Sequence, residues 1–172
     1  MTLVSGQVAL DPPVGVNVIQ ITTAQEMHEE VLKAYPDQDL VIKSAAVADY
    51  RPKVTYDQKM KKKPGDYIVE MERTKDILME LGERKEHQYL VGFAAETTDV
   101  EQYGRQKLEK KNLDAIVINN VSEEGVGFGT DTNASLVITK KGEEVAYPLM
   151  SKEDLAENIL LMASGEMESG NL

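Results

Sequence analysis

The sequence contains no cysteine and no tryptophan, and it has only 2 phenylalanines and 7 tyrosines among its 172 residues. Without cysteine there is no disulfide, no thiolate metal ligand and no thiolate nucleophile, so a covalent intermediate would need other chemistry. No segment approaches the ~18 consecutive apolar residues of a membrane span, and the first residues lack the basic and apolar regions of a signal peptide. We therefore expect a cytoplasmic protein that does not enter a membrane.

Positive charge is also scarce. The 30 acidic residues outnumber the 19 basic ones, which leaves a formal net charge of −11. Such a chain repels polyanions at long range, which argues against nucleic acid as the main partner. A small anion needs only a local reversal of sign, and one is present where Lys59, Lys61, Lys62 and Lys63 fall within five positions.

The chain length and the hydrophobic pattern predict the fold. A chain of 172 residues without internal repeats or linkers fits a single domain over residues 1–172. Short apolar runs alternate with amphipathic helical patterns, which is typical of strands joined by crossover helices. We expect an α/β fold, three-layered and Rossmann-like, with a mostly parallel sheet, an antiparallel C-terminal hairpin and a protruding strand or lid segment.

The individual elements follow from periodicity and from end signals. Thr23 and Glu26 form a capping-box pattern, Asp99 is a candidate helix cap, and residues 122–133 form a glycine-rich loop. The predicted strands are residues 2–4, 16–21, 40–42, 67–72, 89–93, 115–119, 134–139 and 143–147. The predicted helices span residues 23–36, 76–85, 100–111 and 151–163, and residues 164–172 are expected to form a frayed tail.

The segment from Ala45 to Lys63 is the strongest candidate for a ligand site. Small residues follow a predicted strand there, and ligands bind at the carboxyl ends of strands in open α/β sheets. Asp49 favours a ribose or metal contact about as strongly as a local turn. A lysine cluster is more often a solvated face, but a position on the aperiodic loop 51–66 favours a lid over phosphates. One lysine about 4 Å from an anionic oxygen contributes roughly 4 kcal/mol near a surface.

Two other patterns are weaker. Tyr103 and Lys107 match the Tyr-x-x-x-Lys pattern of nicotinamide-dependent oxidoreductases, but no glycine-rich opening turn precedes them. The glycines of residues 125–129 lead into a strand and not into a helix that would receive a pyrophosphate. His28 and His87 are too far apart in sequence to suggest a metal pair, and we expect no metal site built from protein side chains.

Five ordered motifs carry a resemblance to a known family. They are Leu3-Val4-Ser5-Gly6, Ala45-Ala46-Val47-Ala48-Asp49-Tyr50-Arg51, Lys59-Met60-Lys61-Lys62, Gly92-Phe93-Ala94-Ala95-Glu96-Thr97 and Lys111-Asn112-Leu113-Asp114. Together they resemble the CTP-dependent phosphopantothenoylcysteine synthetase of bacteria, which is the synthetase domain of a bifunctional decarboxylase/ligase. The resemblance implies a phosphopantothenate–cysteine ligase of coenzyme A biosynthesis that acts through an acyl-cytidylate. It also implies CTP, 4′-phosphopantothenate and cysteine as substrates, Mg²⁺ held by the CTP phosphates, a homodimer, and fusion to or association with a flavin-dependent decarboxylase.

The resemblance also implies site residues. Lys59 matches the catalytic lysine of the family, while Lys75 stands where other members often carry proline. The family normally opens with a further strand and an asparagine-bearing turn that are missing here, so a catalytically incomplete CTP-binding fragment or subunit is the alternative. The implied nucleotide-binding positions are Lys43, Ser44, Ala45, Asp49, Lys59, Lys75, Asp76, Ile77, Leu78, Phe93, Lys107 and Lys111.

Overall fold

The computed structural model of the protein describes residues 1–62, 64–96, 99–120 and 131–169, with only the backbone of residues 96 and 120. The chain forms two compact units. Unit 1 comprises Met1–Ala34 and Ala46–Ile77, and unit 2 comprises Tyr35–Ala45 and Leu78–Leu172. Among the described residues, no helix is both long and apolar enough to cross a membrane.

Unit 1 begins with a parallel pair of strands and a helix. β1 (Thr2–Ser5) pairs with β2 (Asn17–Gln20), and α1 (Ala24–Ala34) follows. The predicted capping box is confirmed, because the Glu26 backbone N–H donates to Thr23 Oγ1 at 3.1 Å and the Thr23 N–H donates to Glu26 Oε2 at 3.0 Å. The backbone N–H groups of Thr22 and Thr23 stabilise the carboxylate and lower the pKa of Glu26.

A second strand pair in unit 1 differs from the prediction. β4 (Tyr50–Pro52) and β5 (Met71–Arg73) are antiparallel, whereas a strand over residues 67–72 and a loop from residue 51 were expected. Two exposed cross-strand ion pairs, Arg51–Glu72 and Lys53–Glu70, join the pair with N···O distances of 2.8 Å. Strands of three residues are too short to show a period in the sequence.

Unit 2 is built on a five-stranded mixed sheet. Three parallel strands form one side of it, β3 (Leu40–Lys43), β6 (Tyr89–Glu96) and β7 (Ala115–Asn120), and they lie in the order β3-β6-β7. The sheet continues with the antiparallel strands β8 (Thr132–Thr139) and β9 (Glu144–Ser151). The α/β class and the antiparallel C-terminal hairpin are thus confirmed, and a short 3-10 turn, Tyr35–Asp37, precedes β3.

Helices cover both faces of this sheet. The helices are α2 (Ile77–Glu83), α3 (Val100–Lys110) and α4 (Lys152–Ser169). On one face, Val91, Val117 and Val137 form a buried cluster with Leu155 and Ile159 of α4. On the other face, an added Cβ at Gly92 would lie 2.8 Å from Leu78 of α2, and one at Gly104 of α3 would collide with the side chain of Ile118. Alternate strand residues therefore face opposite helical layers, which confirms the three-layered architecture.

Two helix ends differ from their predictions. Asp99 has a left-handed backbone (φ 46°) and makes no capping hydrogen bond with its side chain, so it does not cap α3 as expected. Ser151 does cap α4, since the Asp154 N–H donates to Ser151 Oγ at 3.0 Å. That helix continues to Ser169, well beyond the predicted end at residue 163. Most of the predicted glycine-rich loop, residues 122–130 of 122–133, lies outside the described residues.

Candidate functional site

The predicted site residues divide between the two units. Asp49, Lys59, Lys75, Asp76 and Ile77 belong to unit 1, and Lys43, Ser44, Ala45, Leu78, Phe93, Lys107 and Lys111 belong to unit 2.

In unit 2, three predicted positions lie together at the end of β3. Lys43 is the last residue of that strand, and its ammonium donates to the backbone oxygen of Ala45 at 3.0 Å. Lys43 pairs in register with Gly92, so Phe93 lies one residue further along the neighbouring strand. Ser44 and Ala45 are exposed, while Lys43 and Phe93 are half-buried. This edge is the side of a parallel sheet at which α/β proteins usually bind ligands.

In unit 1, Asp49 and Lys75 are held close together by the backbone. The Thr74 N–H donates to the Asp49 backbone oxygen at 2.9 Å, and Thr74 Oγ1 donates to the Ala48 oxygen at 2.5 Å. The side chains of Asp49 and Lys75 are both exposed. Each of these two exposed charged groups is accessible to a polar ligand.

Lys59 lies in the long exposed segment between β4 and β5. Lys61 and Lys62 are exposed in the same segment, and the fourth lysine of the cluster, Lys63, lies outside the described residues. The Tyr67 hydroxyl approaches Met60 Sδ at 3.5 Å, next to Lys59 in sequence. The cluster therefore presents its charge to solvent, as a phosphate-binding segment or a solvated face would.

The first two residues of α2 cannot offer side chains to a ligand. Ile77 and Leu78 are only 2% and 6% exposed and belong to the core. Asp76, which precedes them, is exposed. Because α2 has only 7 residues, it gives little support to the predicted phosphate contact at its amino terminus. A ligand contact at these positions would use the backbone or Asp76.

Lys107 and Lys111 belong to the end of α3, which lies at the other edge of the sheet. The helix starts after the carboxyl end of β6 and returns to the start of β7, so its last turn lies near the amino ends of the strands. There the Asn112 amide donates to the Gly82 oxygen at 3.0 Å, and Lys140 Nζ donates to Asn112 Oδ1 at 3.0 Å. The sheet thus separates Lys111 from Phe93.

One polar pair at the carboxyl edge was not predicted. Ser135 Oγ of β8 donates to Asn119 Oδ1 of β7 at 2.6 Å. The sequence signal was Asn119, an asparagine directly after an apolar run. It was predicted only as the last residue of the strand 115–119 and was given no role in a site. This pair is close to Phe93 in the sheet register, since Asn119 pairs with Ala95.

Two further features limit the chemistry of the described residues. Among them, no group of three or more histidine, cysteine or carboxylate residues could hold a metal ion. A cavity of about 160 Å³ lies beside the end of α3 and is lined in part by Leu108, Asn112, Ile138 and Lys140. Pockets for drug-sized ligands and cofactors usually measure about 300–1,000 Å³.

The chain matches one protein-family model and is similar in sequence to several known proteins. Residues 1–165 match the family model described as "DNA/pantothenate metabolism flavoprotein C-terminal domain". The chain is 52% identical over 159 residues to the coenzyme A biosynthesis bifunctional protein CoaBC of Bacillus subtilis (strain 168), covering 92% of this chain and 39% of that protein. It is 40% identical over 162 residues to a cysteine/cysteine sulfinic acid decarboxylase of an unknown prokaryotic organism, covering 93% of this chain and 45% of that protein.

Two solved structures share the fold. The crystal structure of the C-terminal domain of coenzyme A biosynthesis bifunctional protein CoaBC has a TM-score of 0.82 and 42% identity, over 98% of this chain and 74% of that one. The DNA/pantothenate metabolism flavoprotein of Streptococcus pneumoniae has a TM-score of 0.76 and 20% identity, over 96% and 80% of the two chains. The second likeness supports the fold alone.

These comparisons correct the predicted activity. The family description names a flavoprotein, and the relatives' names contain no ligase, CTP or nucleotide-binding term. The predicted CTP-dependent phosphopantothenate–cysteine ligase is therefore not supported, nor are the alternatives of a CTP-binding fragment and a nicotinamide-dependent oxidoreductase. The physical reason lies in the motifs. The side chains of Asn112 and Asp114, in the motif at residues 111–114, make hydrogen bonds that hold the fold together. A match at these two positions therefore indicates a shared fold and does not identify a ligand.

The expected cofactor and substrates change with the activity. The family description implies a flavin in place of Mg²⁺ with CTP, and neither that description nor the name of the CoaBC relatives refers to CTP or cysteine as a substrate. The cavity of about 160 Å³ beside the end of α3 is too small for a flavin, so the residues that line this cavity do not fit that group. The predicted fusion with, or association with, a second domain agrees with the bifunctional relatives.

The chain spans about two fifths of the length of the curated relatives that it matches. The match to the family model nevertheless extends over nearly all of the described residues, from residue 1 to residue 165. The chain therefore belongs to the family of the C-terminal domain of DNA/pantothenate metabolism flavoproteins.

Proposed function

We propose that this chain acts in coenzyme A biosynthesis as the C-terminal domain of a bifunctional protein, and that it binds a phosphorylated derivative of pantothenate. The observation that carries the proposal is the 42% identity, over 98% of the chain, to the C-terminal domain of CoaBC. The proposal extends to this chain the pathway that the relatives' names give.

The flavin of such a protein belongs, in this proposal, to the part of the relatives that this chain does not match. That part is large, because the chain covers only 39% of the Bacillus subtilis relative. Bound flavin would supply redox chemistry there. The cavity beside the end of α3 in this chain is too small to hold a flavin.

The anionic end of the ligand is expected to meet lysine side chains. A phosphate monoester would be repelled by the net charge of −11 unless it met a local excess of positive charge. Unit 1 offers such an excess at Lys59, Lys61 and Lys62, all exposed. Unit 2 offers Lys43 at the carboxyl end of β3. In this proposal the lysines of each unit are candidate contacts for a phosphate.

Calorimetric titration with 4′-phosphopantothenate and with pantothenate tests the proposal. We expect binding of the phosphorylated compound and at least tenfold weaker binding of pantothenate. Lys59→Ala should weaken binding of the phosphorylated compound by roughly 10–100-fold, since hydrogen bonds to charged groups contribute about 1.5–3 kcal/mol. Lys33→Ala is the matched control, because Lys33 is 77% exposed on α1 and its ion-pair partner, Glu30, is on the same helix. Equal affinity for both compounds, or no binding of either, would refute the proposal.

We also propose that the chain forms a homodimer through the segment between β4 and β5. Monomeric proteins rarely expose contiguous apolar patches of this kind, and Ile68 is 89% exposed. The ion pairs Arg51–Glu72 and Lys53–Glu70 hold the base of the segment, so its apolar side chains are presented from a fixed strand pair. Those side chains are Val54, Tyr56, Met60, Tyr67, Ile68 and Val69, and Tyr50 and Met71 of the strand pair are exposed as well.

Sedimentation velocity measures this association. The wild type should sediment as a dimer, and Ile68→Lys should shift it toward monomer. Val14→Lys introduces the same charge at a position that is fully exposed outside the segment, and it should leave the dimer intact. A wild-type monomer, or equal effects of the two variants, would contradict the dimer.

A further inference from the structure

A row of side chains crosses three strands at the carboxyl edge of the unit 2 sheet. Ala95 of β6 pairs with Asn119 of β7, and Asn119 pairs with Ser135 of β8. Paired residues share a face of the sheet, and Val117, two residues before Asn119, faces α4. Ala95 is exposed, Asn119 is half-buried and Ser135 is buried. The row is therefore accessible to solvent at β6 and buried at β8.

The hydrogen bond within the row orients the asparagine. Ser135 Oγ donates to Asn119 Oδ1 at 2.6 Å. The carboxamide oxygen is thereby held toward β8, and its nitrogen, with two N–H donors, lies on the opposite side of the group. A fixed amide at the carboxyl edge of a parallel strand is a donor for a ligand oxygen.

A second polar group nearby lacks a partner. Asn133 lies two residues before Ser135 on the same strand face and is only 6% exposed. Its Oδ1 has no hydrogen bond with any of the described residues. A buried amide oxygen without a partner is costly, and such groups in native proteins commonly mark a place for a ligand or an ordered water.

We propose that Asn119, oriented by Ser135, donates a hydrogen bond to a carbonyl or carboxylate oxygen of the small molecule bound at this edge. Ser135 is then a positioning residue and Asn119 a binding residue beside Phe93 and Ala95. The inference rests on the proposed function, since the ligand is taken to be a pantothenate derivative, which carries such oxygens at the end distant from its phosphate.

The affinity of variants at Asn119 and Ser135 for 4′-phosphopantothenate tests this proposal. Asn119→Ala should weaken binding about tenfold, and Ser135→Ala, which leaves the amide in place but unoriented, about threefold. Asn17→Ala, on the exposed β2 of unit 1, removes the same group and should change nothing. Thermal unfolding of each variant establishes that it is folded.

The side-chain amide resonances of Asn119 in the wild type supply a measurement that needs no variant. They should shift on addition of 4′-phosphopantothenate and stay unchanged with inorganic phosphate. If the wild type does not bind the compound at all, the proposed function and this inference fail together. If the wild type binds it but the Asn119 resonances and the affinities of both variants are unchanged, the inference alone is wrong.

Discussion

The hydrogen bond between Tyr89 and Glu166 illustrates how one buried polar contact holds the end of a long helix. Tyr89, on β6, is 9% exposed, and its hydroxyl donates to Glu166 Oε2 of α4 at 2.6 Å. Glu166 Oε1 has no partner among the described residues. Tyr89→Phe should therefore lower the free energy of unfolding by about 1–3 kcal/mol, because it leaves the carboxylate without its donor. Urea denaturation measures the loss, and Tyr103→Phe, at an exposed position on α3, should cost much less.

The same residue predicts a pH dependence. Burial, and then the hydrogen bond to Glu166, raise the pKa of Tyr89 above its ordinary value of about 10. The unfolded chain then releases the tyrosine proton at a lower pH than the folded chain, so the stabilisation is complete below pH ~10 and is lost as pH rises above it. Between pH 10 and 11 the stability of the wild type should fall more steeply than that of Tyr89→Phe. Equal slopes would show that Tyr89 does not titrate differently in the two states.

At the scale of secondary-structure elements, Asn112 connects the ends of α2, α3 and β8. Its side chain donates to the Gly82 oxygen at the end of α2 and accepts from Lys140 at the end of β8, both at 3.0 Å. It follows the end of α3 with a left-handed backbone, φ 50°. Lys85 Nζ also donates to the Asn112 backbone oxygen at 2.8 Å. Asparagine suits this place because it tolerates a positive φ and has both a donor and an acceptor.

Two substitutions separate the backbone from the side chain at this junction. Asn112→Gly keeps the left-handed conformation but loses both side-chain bonds, and we expect it to cost about 1–2 kcal/mol. Asn112→Ala loses the same bonds and adds the strain of a positive φ, so it should cost about 1–2 kcal/mol more. Thermal or urea unfolding gives the order. A more stable alanine variant would exclude the backbone strain.

The sequence predicted elements with clear periods well and contacts between elements poorly. The buried strands around Val91 and Val117 were located within a few residues, because apolar runs between turn signals require burial. The pair β4–β5 was misplaced because three-residue strands have no period, and its register depends on charge pairs far apart in sequence. For the site, Lys43 does lie at the end of β3, but Phe93, predicted as the last residue of its strand, lies in the middle of β6. The Asn119–Ser135 bond needs the β7–β8 pairing, which the sequence alone does not specify.

At the scale of the whole molecule, we expect the longer relatives to bind flavin and this chain to bind none. The relatives are bifunctional, and this chain matches only about two fifths of their length. The described cavity of about 160 Å³ is well below the volume that a cofactor of flavin size needs. We therefore expect the chain, purified from bacterial cells, to show no flavin absorbance and no protein fluorescence change on titration with FMN.

The full-length Bacillus subtilis relative, purified in the same way, is the matched control and should carry flavin in its remaining length. Mixing it with excess 4′-phosphopantothenate should not release that flavin, because the two ligands occupy different parts of the protein in this account. Stoichiometric FMN on the isolated chain would instead assign the flavin to this domain, at a place other than the cavity beside the end of α3. Visible absorbance and released-flavin fluorescence after denaturation distinguish these outcomes directly.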